Sequence, residues 1–95
     1  MASRITDKDL AGVVARINRT TGSPSEAYIR DESGRYVAQV GNYHISYAYG
    51  GVSLHRMAGT GGAVSDVFSR GHVPKRELYE CMHAFLRGFD AAKGE

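Results

Sequence analysis

Residues 42–57 read NYHISYAYGGVSLHRM, and this stretch decides the fold. Tyr43, Ile45, Tyr47 and Tyr49, then Val52 and Leu54, fall at every second position. Period two is the signature of a strand with one buried face. Gly50-Gly51 offers a two-residue reversal between two such runs. Folded there, Tyr49 faces Val52 and Tyr47 faces Leu54, while Ser46 faces His55 and His44 faces Met57. Cross-strand partners share a face. Upstream, residues 35–40 alternate as well, and Gly41-Asn42 is a second turn candidate. That turn sets Val40 against Tyr43, Ala38 against Ile45 and Tyr36 against Tyr47. Residues 27–30 precede the turn-rich Asp31-Glu32-Ser33-Gly34. The expectation is an antiparallel meander of about four strands. Its apolar face also takes Ile29, and Arg56 ends it. The second face carries Tyr28, Arg30, Arg35, His44 and His55.

A helix is predicted on each side of the meander. At the front, Thr6 and Asp9 are spaced like a capping box. Asp7 and Asp9 suit the positive end of a helix dipole. Leu10, Val13, Val14 and Ile17 then make one apolar stripe. Gly22 and Pro24 stop it. At the back, Pro74 suits a first helical position. Leu78, Cys81, Met82, Phe85, Leu86 and Phe89 follow at helical spacing. Cys81 therefore reads as packing and His83 as solvated, with residues 90–95 a fraying tail. Helix, meander, helix gives an α+β fold with both helices on one sheet face. Residues 58–72 are glycine-rich and read as a loop, pinned by Val64, Val67 and Phe68, with a short helical turn started by Ser65 or Asp66.

Composition bounds the rest. Ninety-five residues suit a single domain over 1–95. A hydrophobic share of 42% with 23% charged residues is globular rather than disordered. A net charge of +2 is too small to point to DNA or an anionic membrane. One cysteine excludes an internal disulfide framework and a cysteine-rich zinc site. MASRITDKDL has no apolar signal core, so a cytoplasmic protein is expected.

Four constellations are candidates for function. Arg70, His72, Lys75 and Arg76 crowd the start of the last helix, where cations oppose the dipole. With a glycine lead-in, that end can hold an anion; equally, Glu77 and an Arg76–Glu80 pair can leave it a solvated basic turn. Gly61, Gly62 and Ser65 can converge amides on an oxyanion, or merely connect sheet to helix. Tyr43 and Tyr47 read as core, whereas Tyr49, beside Gly50-Gly51, can face a ligand. His44 and His55 on the second face lack a third metal ligand, so that face reads as a partner surface or an ordinary wet face. No nucleophile motif or carboxylate pair marks a catalytic residue, and no cofactor or metal is implied.

Several phrases resemble small accessory proteins encoded by tailed phages and prophages. They are Gly41-Asn42-Tyr43-His44, Ala48-Tyr49-Gly50-Gly51, Leu54-His55-Arg56-Met57, Gly61-Gly62 and Gly71-His72-Val73-Pro74-Lys75-Arg76-Glu77-Leu78-Tyr79. The resemblance spans most of the chain and transfers no catalytic residue. It implies a setting, an infected bacterial cell, in which such proteins sequester a nucleotide defence signal or block a host protein.

The sequence-level expectation is thus a non-enzymatic, homo-oligomeric binder of a phosphorylated small molecule or nucleotide. Gly61, Gly62, Ser65, Arg70, His72, Lys75 and Arg76 hold the phosphates, and Tyr49 and Arg56 meet the ring or sugar. The alternative is an inhibitor of a host protein acting through Tyr28, Arg30, Arg35, His44 and His55. Nucleic acid is the weaker partner class, for want of a basic stripe.

Overall fold

The computed structural model describes residues 4–94. The expectations placed on Met1–Ser3 and on Glu95 lie outside them. The elements run α1 (Asp7–Thr21), β1 (Tyr28–Arg30), β2 (Tyr36–Ala38), β3 (Tyr43–Ala48), β4 (Gly51–Met57), β5 (Val64–Asp66) and α2 (Lys75–Lys93).

Helix α1 begins where its cap dictates. Thr6 Oγ1 accepts from the Asp9 amide at 3.1 Å, and Asp9 Oδ2 accepts from the Thr6 amide at 2.9 Å. Hydrogen bonding from Thr6, its backbone amide first, holds the Asp9 carboxyl below its ordinary pKa. Gly22, left-handed at φ 71°, closes the helix. Leu10, Val13, Val14 and Ile17 are buried, as their spacing requires. In α2 the buried set is Leu78, Met82 and Leu86. Cys81 is only half-buried. His83 is half-buried too, not solvated, with its ring 4.5 Å from that of Tyr79. Pro74 is the N-cap rather than the first helical residue. The tail does not fray at residue 90, since the helix reaches Lys93 and Asp90 pairs with Arg16 at 3.7 Å.

The α+β architecture stands, but the meander is two sheets of five strands. One is β1-β2 and the other is β3-β4-β5, all antiparallel. Both helices cover the face of the larger sheet that carries Tyr43, Val52 and Leu54. Strand β2 pairs with β1, with Ile29 opposite Val37, and not with β3. Gly41-Asn42 is no hairpin turn. The Gly41 amide donates to the Met57 carbonyl, and the Met57 amide to that of Asn42, so this segment already runs beside β4. Tyr36, Val40 and Ile29 consequently stand exposed instead of lying under the helices.

In the β3–β4 hairpin Tyr47 faces Val52, Ser46 faces Ser53 and His44 faces His55, two residues from the expected register. The turn is Tyr49-Gly50, with φ of 55° and 73°. Both values are left-handed, as a type I′ hairpin requires. Gly51 opens β4 because nothing larger fits. A Cβ there would lie 2.9 Å from the Val73 carbonyl oxygen. Arg56 does end the apolar face, its guanidinium 5.2 Å from the centre of the Tyr43 ring.

Ser65 and Asp66 lie in β5, and a single turn starts at Asp66, whose carbonyl accepts from the Ser69 amide at 3.2 Å. The chain reverses between Ala58 and Ala63, whose amide and carbonyl bond at 2.7 Å, and returns as β5. The β1–β2 hairpin seats on this reversal. The Ala38 amide donates to the Thr60 carbonyl, and the Tyr28 hydroxyl lies 3.1 Å from where a Gly62 Cβ would be.

Helix α1 is fastened to the sheet by one buried side chain. Asn18 Nδ2 donates to the Tyr43 carbonyl at 3.0 Å, and Asn18 Oδ1 accepts from the Tyr43 amide at 2.9 Å. Each buried group left without a partner costs about 1–3 kcal/mol. Asn18→Ala should therefore lower the unfolding free energy by about 2–4 kcal/mol, read from the urea midpoint at unchanged slope. An unmoved midpoint would remove this contact from the account of the fold.

Candidate functional site

The two helices run in the same direction. Asp7 at the start of α1 pairs with Lys75 at the start of α2, at 2.9 Å, and Arg16 pairs with Asp90 further along. Their N-terminal, positive dipole ends therefore lie at one edge of the molecule. The β3–β4 turn reaches the same edge. There a cleft of about 530 Å³ is lined by Arg4, Ile5, Gly50, Pro74, Lys75 and Arg76.

The start of α2 is held there by the sheet. Val52 and Val73 exchange both backbone hydrogen bonds, at 2.8 and 2.9 Å, immediately before Pro74. Asp66 holds the lead-in, accepting from the amides of Ser69 at 3.1 Å and Gly71 at 2.8 Å. Burial would raise the Asp66 pKa, and these amides outweigh it and hold the carboxyl below its ordinary value. Unlike α1, α2 has no side-chain hydrogen bond at its N-cap, Pro74. Tyr47 lies close to the Asp7–Lys75 pair. Burial, then the Asp7 charge, raises its phenol pKa above the ordinary value, with Lys75 opposing. Tyr47 is 55% exposed, which corrects its expected place in the core. Tyr43 is buried as expected.

Of the residues expected to hold a ligand, Lys75 and Arg76 line this cleft and Tyr49 adjoins it. Tyr49 is 97% exposed and sits in the left-handed region, a strained conformation for an aromatic residue. His72 is tied to the sheet instead, its Nε2 3.0 Å from Ser46 Oγ and its ring 5.8 Å from that of Tyr49. Arg70 pairs with Glu77 at 3.0 Å. Gly61, Gly62, Ser65 and Arg56 belong elsewhere. Seven residues of β4 separate the two turns, about 20 Å at strand rise. Arg56 and Ser65, paired across β4 and β5, share a smaller cleft of about 270 Å³ at that far end. The single phosphate site of nine residues is thus split in two. Arg4, Ile5, Gly50 and Pro74 complete the near half; the sequence marked Gly50 and Pro74 only for a turn and a helix start, and Arg4 and Ile5 not at all.

The expected partner face is also divided. Tyr28 and Arg30 lie on β1, and Arg35 donates its amide to Asp31 Oδ1 at the turn beyond it. His44 and His55 lie on the other sheet. Their rings continue a row of neighbours, 6.0 Å from His44 to His55 and 5.9 Å from His55 to His72. Among the described residues no three His, Cys, Asp or Glu side chains are placed to hold a metal ion. Among them, too, no helix is long and apolar enough to cross a membrane. Comparison with protein families, curated proteins and solved structures finds no match to this chain.

Two predictions follow from this geometry. Tyr49→Asn makes the turn Asn-Gly, the preferred type I′ pair. It should raise stability by about 0.5–1 kcal/mol by relieving left-handed strain, which costs about 1–2 kcal/mol. Thermal denaturation would show it, and a lower melting temperature would mean the tyrosine ring contributes more than its backbone loses. The second concerns pH. Burial, then the neighbouring His55, lowers the His44 pKa below its ordinary 6.5. The unfolded chain then takes up a proton before the folded one, so stability should fall as pH drops below about 6.5 and level off beneath the folded pKa. His44→Asn should flatten the profile between pH 7 and 5, above the range where the carboxylates titrate.

Proposed function

We propose that the protein is a non-enzymatic binder of a phosphorylated small ligand, held where α1 and α2 begin. The observation that carries the reading is the meeting of Arg4, Lys75 and Arg76 with Gly50 and Pro74, at the start of α2, in one cleft. Amides at a helix start and flanking cations together favour an oxyanion. A volume of about 530 Å³ lies within the range of small-molecule sites, about 300–1,000 Å³. Asp7 supplies a countercharge to Lys75, but both side chains are near half exposure, and such a pair contributes only about 0–1 kcal/mol. A phosphate can displace it at little cost. Tyr49, exposed beside the cleft, offers a ring for a base or sugar to stack on. In the setting implied by the resemblance to phage accessory proteins, this activity is the sequestration of a nucleotide signal of host defence.

Native mass spectrometry of freshly purified protein, followed by denaturation, should release a phosphorylated compound. Calorimetric titration with nucleoside monophosphates, nucleoside triphosphates and pyrophosphate then tests the site. Arg4→Ala, Lys75→Ala and Arg76→Ala should each weaken binding tenfold or more, about 1.4 kcal/mol, with melting temperature nearly unchanged. Ser65→Ala, at the far end of β4, should leave affinity alone. Equal affinity in the first three variants would refute the cleft.

A second reading is supported by the β1–β2 hairpin. It exposes Tyr28, Ile29 and Tyr36, the last 68% exposed under the Arg30 guanidinium. Aromatic side chains and arginine are enriched at protein interfaces. An inhibitory contact with a host protein would predict a stoichiometric partner from host lysate that Tyr36→Ser releases and Lys75→Ala retains.

A further inference from the structure

Strand β3 is an edge of its sheet, and the hydrogen bonds around it fix what that edge can accept. Successive residues of an antiparallel strand turn their N–H and C=O alternately toward and away from the neighbour. Val52 gives both groups to Val73, and the Leu54 carbonyl accepts from Val67, so both residues point away from β3. Their partners across the ladder, Tyr47 and Ile45, therefore point away from β4. So does Tyr43, whose two groups Asn18 takes. Two outward pairs are left, those of Ile45 and Tyr47, and none of the described bonds between backbone groups outside the ladders reaches them.

A groove lies in front of them. It measures about 300 Å³ and is lined on the helix side by Ala11, Val14 and Ala15, on the strand side by Tyr43, Ile45 and Tyr47, and also by Ser25 and Ala27 of the α1–β1 connection. Ala11 and Ala15 are exposed. Edge strands are ordinarily protected by charge, proline or shortness. The segment Tyr43–Ala48 has six residues with no charge at neutral pH and no proline. The opposite edge, β5, has only three residues and carries Asp66.

We propose that this edge pairs with the same edge of a second copy, about a two-fold axis through Ser46. For such a pair the hydrogen bonds select the register. Ile45 opposite the partner copy's residue 47, and Tyr47 opposite its residue 45, form four N–H···O=C bonds and satisfy all eight open groups. Setting Ile45 against itself would instead bring Tyr47 to a Tyr43 already held by Asn18, leaving Tyr47 open. In the selected register the helix face pairs an isoleucine with a tyrosine on either side of the axis, a favourable cross-strand combination. Serine meets serine at the axis, and no like charges are opposed. Small side chains at Ala11 and Ala15 let the two α1 helices approach beneath the joined sheet. The strip is roughly 20 Å of strand and one helix flank. That is on the order of 400–600 Å² per copy, below the roughly 800 Å² of a standard interface, so the dimer dissociates on dilution.

Sedimentation across low to high micromolar concentration should show the mass rise from 10.3 kDa toward twice that value. Ala15→Glu, at an exposed helical position the fold tolerates, should weaken the association at least tenfold with unchanged circular dichroism. Residues directly opposed at the axis have Cα atoms about 4.5–5.5 Å apart, within reach of a disulfide. Ser46→Cys in a Cys81→Ala background should therefore cross-link to a dimer on mild oxidation, whereas Ser33→Cys, in the β1–β2 turn, should not. A monomer at every concentration would overturn the proposal. So would a dimer that survives Ala15→Glu and gives no cross-link through position 46.

Discussion

Asn18 is the constraint on which the arrangement turns. Its carboxamide presents one donor and one acceptor to Tyr43, as a neighbouring strand would, and so stands in for a residue of a missing strand. Two consequences follow from a single side chain. The depth and direction of α1 on the sheet are set at the Tyr43 end, which sends its N-terminus toward the β3–β4 turn. The edge of β3 is also closed at that end and left open at Ile45 and Tyr47. An apolar side chain at position 18 would leave both Tyr43 groups without this partner and would fix neither.

The second fastening, between Val52 and Val73, acts at the opposite end. It returns the chain to the start of β4 after β5 has reversed it, and α2 has no choice but to begin there. Parallel helices are the result. Each helix start carries about half a positive charge, and the cations that oppose α2's dipole are gathered at the same edge. Acidic groups are favoured at this edge, and Glu77 in the first turn of α2 is one counterion. Asp7 supplies another from the other helix, and it is weakly held because both partners are half in water. A phosphate is a better counterion than a single carboxylate, having more acceptor oxygens and up to two charges.

The sequence made the two helices and the central hairpin legible, and the reasons for the misses are physical. The hairpin register was displaced by two residues because Gly-Gly is the stronger turn signal, whereas the chain places Tyr49 in a left-handed conformation. A shift of two keeps every side chain on its face. Tyr43, Ile45, Val52 and Leu54 therefore lie on the expected face although the turn is Tyr49-Gly50. Gly41-Asn42 misled for another reason. Local turn chemistry was plausible, but hydrogen bonds to Met57 made Asn42 a continuation of β3, and that choice depends on residues fifteen positions away. The site suffered from the missing β5. Read as a loop, residues 58–72 leave Gly61 and Gly62 beside Lys75 and Arg76. Read as a strand, they carry the helix start to the other end of β4. Arg4 had no local signal, because it joins the cleft only through the direction of two helices seventy residues apart.

The proposed ligand cleft and the proposed dimer edge share Tyr47, yet they draw on different parts of it. Its phenol interacts with Asp7 and with Lys75, which lines the cleft. The edge uses its amide and carbonyl, which no side-chain substitution other than proline removes. Position in the strand separates the two sites further. The axis lies at Ser46 and the cleft beyond Gly50, four residues or about 13 Å along β3. The symmetry operation reverses the strand, so the two clefts of a dimer sit at opposite ends of the joined sheet, about 27 Å apart by the same measure. Each cleft is then complete within one chain, and ligand stoichiometry is one per copy whether or not the copies pair. A ligand that bridged two copies would contradict this geometry, and a half-site stoichiometry would be its sign.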